Sequence, residues 1–191
     1  MQKKYILIDV DDVLLNWYSG FLRFTKHLGL EPINDNTDYD LSKRFGLSSS
    51  EMTDMIQFFN SRWEFGTLDP LPNSREYIAA LRERGYIFVA ITSCSTDPIT
   101  VALRRSNLYW CFGDVFEDVH CVNLHESKET HLADYNPSWW IEDKFENALA
   151  GLKYRHKSIL LTQPSNTGKE HSDIKRCDSW CEIYKHIINN D

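Results

Sequence analysis

The feature that most constrains the fold is a succession of short apolar runs that alternate with helical segments. These runs lie at residues 4–9, in YIFVAIT (86–92), in SWWIED and in KSILLT, and residues 118–122 add a further short predicted strand. Each run is too short for a helix and is typical of a buried strand. Because helical segments separate the later runs, the pattern predicts an α/β fold, a Rossmann-like parallel sheet flanked by helices.

A long, mostly helical stretch separates the first predicted strand from the second. Residues 14–27 have apolar residues at helical spacing, residues 28–50 are polar and turn-rich, and SSSEMTDMIQFFNSRW predicts a serine-capped helix. The two prolines of LDPLPNS then break the chain. We therefore predict a core domain of residues 1–14 and 73–191, with a small helical cap, residues 15–72, inserted after the first strand.

Composition and charge exclude several classes of protein. Lys and Arg total 21 against 28 Asp and Glu, a formal charge of −7, so no stable nucleic-acid binding is expected, since it requires many basic contacts. No apolar stretch approaches the roughly 20 residues that cross a bilayer, and Asp9 interrupts the first apolar run too early for a signal peptide. Five cysteines without framework spacing predict reduced thiols. A cytoplasmic protein with no membrane partner is expected.

Polar side chains stand at the carboxyl ends of the predicted strands. They are Asp9 and Asp11, Thr92 and Ser93, Glu142 and Asp143, with Lys128 in the segment before the last pair. Ligands of open parallel sheets bind beyond the carboxyl ends of the strands, so we expect these residues to share one site. Asp9 and Asp11 are two apart, which places both on one face of an extended chain. With Asp143 they predict a hard oxygen site suited to Mg²⁺.

Each of these signals also has an ordinary structural explanation. Asp9 and Asp11 can begin a solvated loop, Thr92 can cap a turn, Lys128 can be a surface lysine, and an acidic pair often ends a strand. Their order along the chain and their common location at one edge of the sheet favour a catalytic site.

The order of these motifs resembles that of the haloacid dehalogenase superfamily of phosphatases. ILIDVD, FVAITS, Lys128 and WWIEDKFENA correspond to its four motifs, and the resemblance covers nearly the whole chain. FLRF, FGTLDPLPNSREYIAAL and LTQPSNT…DSWCEI further resemble the 5'(3')-deoxyribonucleotidases. The chain departs from these patterns at Asp12, where glycine is common, at Glu142, where Asp is more frequent, and at Asn73 and Cys94, which replace a glycine and a proline.

The resemblance implies a Mg²⁺-dependent phosphomonoesterase that hydrolyses (deoxy)ribonucleoside monophosphates through an aspartyl-phosphate. Asp9 would be the nucleophile, and Asp11 the general acid and then the general base. Further roles follow in the same way: Asp9, Asp143 and Asp11, the last through its backbone carbonyl, would hold the metal; Thr92, Ser93 and Lys128 would bind phosphate; Glu142 would hold metal-bound water or a group that contacts the metal.

The predicted cap is rich in aromatic residues, and flat bases stack well on such side chains. Trp17 and Phe59 are therefore candidates for a nucleobase pocket, with packing as the alternative for Trp17, whereas Phe21 and Phe24 are expected to pack the cap helices together. The expected partner is a small phosphorylated substrate, a nucleoside monophosphate, and the oligomeric state is open, with a homodimer among the options. Two rival functions remain. One is a 3'-phosphatase acting on nucleic-acid ends, which the basic pairs His156–Lys157 and Lys175–Arg176 keep open. The other is a catalytically silent binding module.

Overall fold

The computed structural model describes residues 3–34 and 39–191 and contains one parallel sheet. Its strands are β1 (Lys4–Ile8), β2 (Tyr86–Ser93), β3 (Phe116–Val122), β4 (Trp139–Glu142), β5 (Lys157–Leu161) and β6 (Lys175–Cys177). They pair in the order β3-β2-β1-β4-β5-β6, and every pairing is parallel. The predicted α/β fold with a parallel sheet is confirmed.

Helices cover the sheet and fill the interval between β1 and β2. The described residues form α1 (Trp17–His27), α2 (Leu41–Phe45), α3 (Ser49–Asn60), α4 (Ser74–Glu83), α5 (Pro98–Phe112), α6 (Glu129–Ala133), α7 (Phe145–Lys153) and α8 (Trp180–Asn189). A 3₁₀ helix at Trp63–Thr67 follows α3, and a second at Pro164–Asn166 follows β5. We call α1, α2, α3 and the first 3₁₀ helix the helical segment. Its treatment as a separate cap domain with boundaries at 15 and 72 stays a prediction.

The helical segment and the sheet share one hydrophobic core. Ile6, Leu7 and Ile8 of β1 are all fully buried, as expected for a central parallel strand covered on both faces. Ile6 and Ile8 belong to the same apolar cluster as Phe21 and Phe59 of the helical segment. This packing fixes the helical segment above the carboxyl end of the central strands.

Three elements differ from the sequence expectations. The first helix begins at Trp17 rather than residue 14, because the chain first turns at Val10, whose carbonyl accepts the N–H groups of Leu14 and Leu15. The stretch predicted to be turn-rich contains α2, although its residues 35–38 lie outside the described part. Strand β6 was not predicted, since three residues that include Lys and Arg give no apolar run.

The described residues give two further findings. None of the helices in residues 3–34 and 39–191 is long and apolar enough to cross a membrane. All five cysteines are free thiols.

Candidate active site

The carboxyl ends of β1 and β4 bring three acids together at the centre of the sheet. Asp9 follows β1 directly, and its N–H donates to the carbonyl of Ile141 in β4 at 2.9 Å. One carboxylate oxygen from each of Asp9, Glu142 and Asp143 lies within 4.8 Å of the other two, and all three residues are buried. The chain runs outward from β1 to β2 and β3 on one side and returns to β4 on the other. The acids therefore occupy the switch point where open sheets bind ligands.

Lys128 supplies positive charge to this cluster. Its buried amine lies 2.7 Å from Asp9 Oδ2 and 2.7 Å from Glu142 Oε1. Burial by itself would lower the pKa of Lys128, but the adjacent carboxylates of Asp9 and Glu142 raise the pKa above its ordinary value. The amine is therefore a permanent cation beside Asp9.

Glu142 is fully engaged by hydrogen bonds from the protein. Its Oε1 accepts from Lys128 Nζ and from Asn147 Nδ2, each at 2.7 Å. Its Oε2 accepts from the backbone N–H groups of Asp143 at 3.0 Å and Lys144 at 2.8 Å. Glu142 thus orients Lys128 and the turn that carries Asp143. By contrast, the carboxylate of Asp143 has no hydrogen-bond or ion-pair partner among the described residues.

The donor set fits a hard divalent cation. Burial raises the pKa of Asp143 well above its usual range, and the neighbouring Glu142 and Asp9 raise it further. Burial and Glu142 likewise raise the pKa of Asp9, although Lys128 opposes this shift. Buried carboxylates that repel one another are costly unless a cation compensates them. Oxygen ligands of this kind are those that Mg²⁺ prefers.

Asp9 and Asp11 both line the cavity described below, although β1 ends at Ile8 and the chain turns at Val10. The expectation of an extended chain through Asp11 is therefore wrong. Its carboxylate lies outside the three-acid cluster and forms an ion pair with Arg104 of α5. Coordination of a metal by the backbone carbonyl of Asp11 stays a prediction.

Of the other predicted site residues, some line the cavity above the acids and others do not. Ser93 lines the cavity above the acids, whereas Thr92 does not line it and is fully buried, with a hydroxyl that has no hydrogen-bond partner among the described residues. Trp17 lines the cavity, stacks on Phe21 at 4.9 Å and donates its Nε1 hydrogen to Asn60 Oδ1 at 3.0 Å. Phe59 is fully buried in the core of the helical segment and does not line the cavity. Phe59 therefore packs within the core, which corrects its assignment to the nucleobase pocket.

The departure at Asp12 has a structural explanation. Asp12 has a φ of 55°, the left-handed region in which glycine is most at ease. Its Oδ1 accepts the backbone N–H of Tyr18 at 3.0 Å, so the side chain fixes the start of α1. Burial raises the pKa of Asp12 to about 7. Its carbonyl accepts from Gln163 Nε2 at 2.7 Å, which ties the loop after β5 to the site.

A cavity of about 940 Å³ opens above the acids, between the strand ends and the helical segment. Two polar groups on its helical wall are buried without a partner among the described residues, the Tyr18 hydroxyl and Arg44 Nε. The Arg44 guanidinium lies 4.7 Å from the centroid of the Tyr18 ring. This wall therefore offers an aromatic surface at Trp17 and unsatisfied hydrogen-bonding groups at Tyr18 and Arg44.

Sequence reasoning did not find Arg104, Asn147 or Asn166. Arg104 and Asn147 lie within helices, where a polar residue normally indicates a solvent-facing side, and no local motif marks them. Asn166 is buried and donates from Nδ2 to the carbonyls of Asp143 at 2.7 Å and Leu161 at 2.8 Å. The polarity of the loop that contains Asn166 was its one available signal.

Comparisons with known proteins agree with this geometry. The family model of 5' nucleotidase, deoxy (pyrimidine), cytosolic type C protein matches residues 3–190. No curated protein matches the chain in sequence. A predicted phosphatase from Clostridium acetobutylicum superposes with a TM-score of 0.70 and 14% identity, over 99% of this chain and 100% of that one.

Two further solved structures carry bound groups. CbbY from Rhodobacter sphaeroides, in complex with phosphate, superposes with a TM-score of 0.64 and 18% identity, over 95% of this chain and 96% of that one. YfnB from Bacillus subtilis, bound to magnesium, superposes with a TM-score of 0.63 and 13% identity, over 99% of this chain and 100% of that one. At these identities the similarities show a common fold, which an L-2-haloacid dehalogenase also has.

Proposed function

Because the chain belongs to the 5' nucleotidase, deoxy (pyrimidine), cytosolic type C protein family and is a phosphatase of the haloacid dehalogenase superfamily, we propose that it is a Mg²⁺-dependent phosphomonoesterase of nucleoside monophosphates. The observation that carries the proposal is the pairing of buried Asp9 with the Lys128 amine, beside the unpaired carboxylate of Asp143, at the floor of a large cavity.

Asp9 is the proposed nucleophile. Val10 N–H donates to its Oδ1 at 2.7 Å and Lys128 to its Oδ2, so the side chain is held in one orientation. In the first half-reaction an oxygen of Asp9 forms a bond to phosphorus, and the bond from phosphorus to the leaving alcohol breaks. Lys128 compensates the negative charge that two approaching anions bring together.

Asp11 is the proposed general acid and base. Its proton passes to the leaving alcohol oxygen as that oxygen departs with the bonding electron pair. In the second half-reaction Asp11 takes a proton from water, whose oxygen bonds to phosphorus while the bond to Asp9 breaks. The two half-reactions together return Asp9 and Asp11 to their starting covalent and protonation states.

Asp9 and Asp143 are the side chains proposed to hold Mg²⁺. A bound Mg²⁺ supplies positive charge that stabilises the transferring phosphoryl group. Glu142 keeps Lys128 and the Asp143 turn in position through its hydrogen bonds. Ser93 is the hydroxyl best placed to donate to a phosphate oxygen, because it lines the cavity.

The helical wall supports a substrate larger than phosphate itself. A cavity of about 940 Å³ exceeds the needs of a phosphate ion and suits a nucleotide. Trp17 offers a stacking surface for the base, and Tyr18 and Arg44 line the same wall with polar side chains whose hydroxyl and Nε have no hydrogen-bond partner among the described residues. A cytoplasmic location, in line with the family's description, is part of the proposal.

Phosphate release from a panel of 5'- and 3'-monophosphates of ribo- and deoxyribonucleosides tests this function. We expect release with Mg²⁺, none with excess chelator, and none from Asp9→Asn. Asp54→Asn, the same change at an exposed position of α3 outside the cavity, is the matched control and should retain full activity. Release from an end-phosphorylated oligonucleotide but from no mononucleotide would replace this function with the 3'-phosphatase alternative.

A further inference from the structure

Arg104 is a charged residue in an unusual environment. It lies in the middle of α5 and is fully buried. Its Nη2 donates to Asp11 Oδ1, while its Nε and Nη1 have no hydrogen-bond partner among the described residues. The guanidinium carbon lies 4.0 Å from the centroid of the Phe65 ring. Burying an ion with few partners is costly, so its presence calls for an explanation beyond packing.

The ion pair connects Arg104 to Asp11, the proposed general acid and base, and to no other charged group of the described site. Asp11 is on the cavity wall, and Arg104 lies behind it, outside the cavity lining. Arg104 gives the Asp11 carboxylate the one side-chain hydrogen bond found within residues 3–34 and 39–191, and that bond reaches a single oxygen, Oδ1. The other oxygen, Oδ2, has no hydrogen-bond partner among the described residues.

This one-sided contact suits a group that must both give and take a proton. When Oδ2 carries the proton, Oδ1 is a carbonyl oxygen that still accepts from the guanidinium. When the proton leaves, Oδ1 remains an acceptor for the same donor. The contact therefore holds the carboxyl group in one orientation through both half-reactions, and it leaves Oδ2 free to exchange the proton.

We propose that Arg104 is a positioning residue, which anchors Oδ1 of Asp11 so that Oδ2 faces the leaving-group oxygen and then the attacking water. This inference rests on the proposed phosphomonoesterase function. The stacking of the guanidinium on Phe65 extends the anchor to the helical segment, so the orientation of Asp11 depends on α5 and on the 3₁₀ helix at Trp63–Thr67.

A positioning role has a signature that a purely structural role lacks. An alkoxide is a poor leaving group and needs a proton as it departs, whereas 2,4-dinitrophenolate leaves without one. Since kcat/KM reports the steps up to departure of the leaving group, disturbing Asp11 should lower kcat/KM for a nucleotide far more than for 2,4-dinitrophenyl phosphate. A structural defect should lower both values together.

The experiment compares the two esters on Arg104→Met, which keeps length and removes the donor. We expect kcat/KM for a nucleoside monophosphate to fall about 100-fold, in the range typical of general acid catalysis, and that for 2,4-dinitrophenyl phosphate to fall less than about threefold. Asp11→Asn should show the same selectivity, and the double variant should be no worse than Asp11→Asn alone. Arg105→Met, at the exposed neighbouring position, should change neither value.

A second readout concerns the other half-reaction. Because hydrolysis of the aspartyl-phosphate needs the base, Arg104→Met should release about one equivalent of dinitrophenolate in a burst and then turn over slowly.

Equal losses of kcat/KM on both esters, or an unchanged kcat/KM for the nucleotide, would overturn the positioning role. If Arg104→Met does not fold, the ratio of the two kcat/KM values on Arg104→Lys decides, with a fall of about tenfold expected from the shorter donor. Wild-type protein inactive on both esters would instead overturn the proposed function.

Discussion

Glu142 serves the site through hydrogen bonds rather than through contact with a substrate. Its two carboxylate oxygens accept four hydrogen bonds, two from side chains and two from the backbone turn that carries Asp143. A fully buried carboxylate is tolerated because every lone-pair direction meets a donor. The glutamate at this position therefore holds the site together through four hydrogen bonds. Its neutral analogue, glutamine, tests whether these hydrogen bonds support the fold.

Glu142→Gln should lower the free energy of unfolding by about 1–3 kcal/mol, because the new amide places N–H groups against existing donors. Urea unfolding measures the change. Glu83→Gln, at the exposed end of α4, is the control and should shift stability by less than about 0.5 kcal/mol. Equal stability of Glu142→Gln and the wild type would mean that the four hydrogen bonds do not support the fold.

His156 is held as a neutral imidazole by two backbone groups. The N–H of Ser138 donates to Nδ1 at 3.2 Å, and Nε2 donates to the Leu132 carbonyl at 2.9 Å. The residue is 2% exposed, and burial lowers the pKa of His156 below its ordinary value. In the folded protein the proton is therefore bound less tightly than in the unfolded chain, so His156 stabilises the fold above the unfolded pKa of about 6.5 and less so below it.

His156→Gln should reduce the loss of stability on acidification. Glutamine can accept from Ser138 and donate to Leu132 without titrating. The unfolding free energy of the variant should therefore fall less than that of the wild type between pH 7 and 5. Urea unfolding at a series of pH values gives both slopes. Parallel slopes would show that His156 does not contribute to acid sensitivity.

Individual site residues were predictable to the extent that strand ends mark them. Asp9, Lys128 and Asp143 were found because apolar runs end at, or lead into, the site. Arg104 was not, because an arginine within a helix normally faces solvent, and its partner Asp11 is 93 residues away in the sequence. Phe59 was assigned to the pocket because aromatic composition does not distinguish a core face from a cavity face.

At the scale of elements, the helical segment supplies the wall opposite the acids. Helices α1 and α2 carry Tyr18 and Arg44, whose polar atoms are buried without described partners. A nucleobase that satisfied them would gain hydrogen bonds that a phosphate ester without a base cannot make. Binding and chemistry should therefore be separable by mutation of this wall.

Arg44→Met should raise KM for nucleoside monophosphates about tenfold and leave kcat/KM for 2,4-dinitrophenyl phosphate unchanged. The magnitude follows from the loss of one charged hydrogen bond, about 1.5–3 kcal/mol. Arg62→Met is the matched control, since Arg62 also lies over a ring, that of Phe58 at 5.6 Å, but is exposed and outside the cavity. An unchanged KM for every nucleotide would remove Arg44 from substrate recognition.

Elements were predictable where the chain buries a continuous apolar run. Strands β1, β2, β4 and β5 satisfy this condition, whereas β3 (FEDVHCV) is less apolar and only partly buried. Helix α3 has its expected serine cap at Ser48. The sequence gives too little signal for β6, a three-residue edge strand, and for α2, a five-residue helix capped by Asp40 and by Gly46 at a φ of 65°. Both depend on tertiary contacts more than on local propensity.

At the scale of the whole molecule, the site links metal binding to folding. The fold brings buried Asp9, Glu142 and Asp143 together with one amine, Lys128, so carboxylates outnumber protein cations in the cluster. A ligand that binds the folded state alone stabilises it by about 2.7 kcal/mol at 100 times its dissociation constant. Saturating Mg²⁺ should therefore raise the melting temperature, and chelator should reverse the rise.

Asp143→Asn separates this linkage from general effects of salt on stability. Without metal the variant should be at least as stable as the wild type, because one of the buried like charges is removed while the side-chain shape is kept. Its melting temperature should no longer respond to Mg²⁺, whereas Asp173→Asn, at an exposed position, should retain the full response. Thermal unfolding of the wild type and of both variants, each with and without Mg²⁺, measures these responses. A full Mg²⁺ response in Asp143→Asn would place the metal elsewhere, because a cation bound between β1 and β4 has to compensate the charge at Asp143.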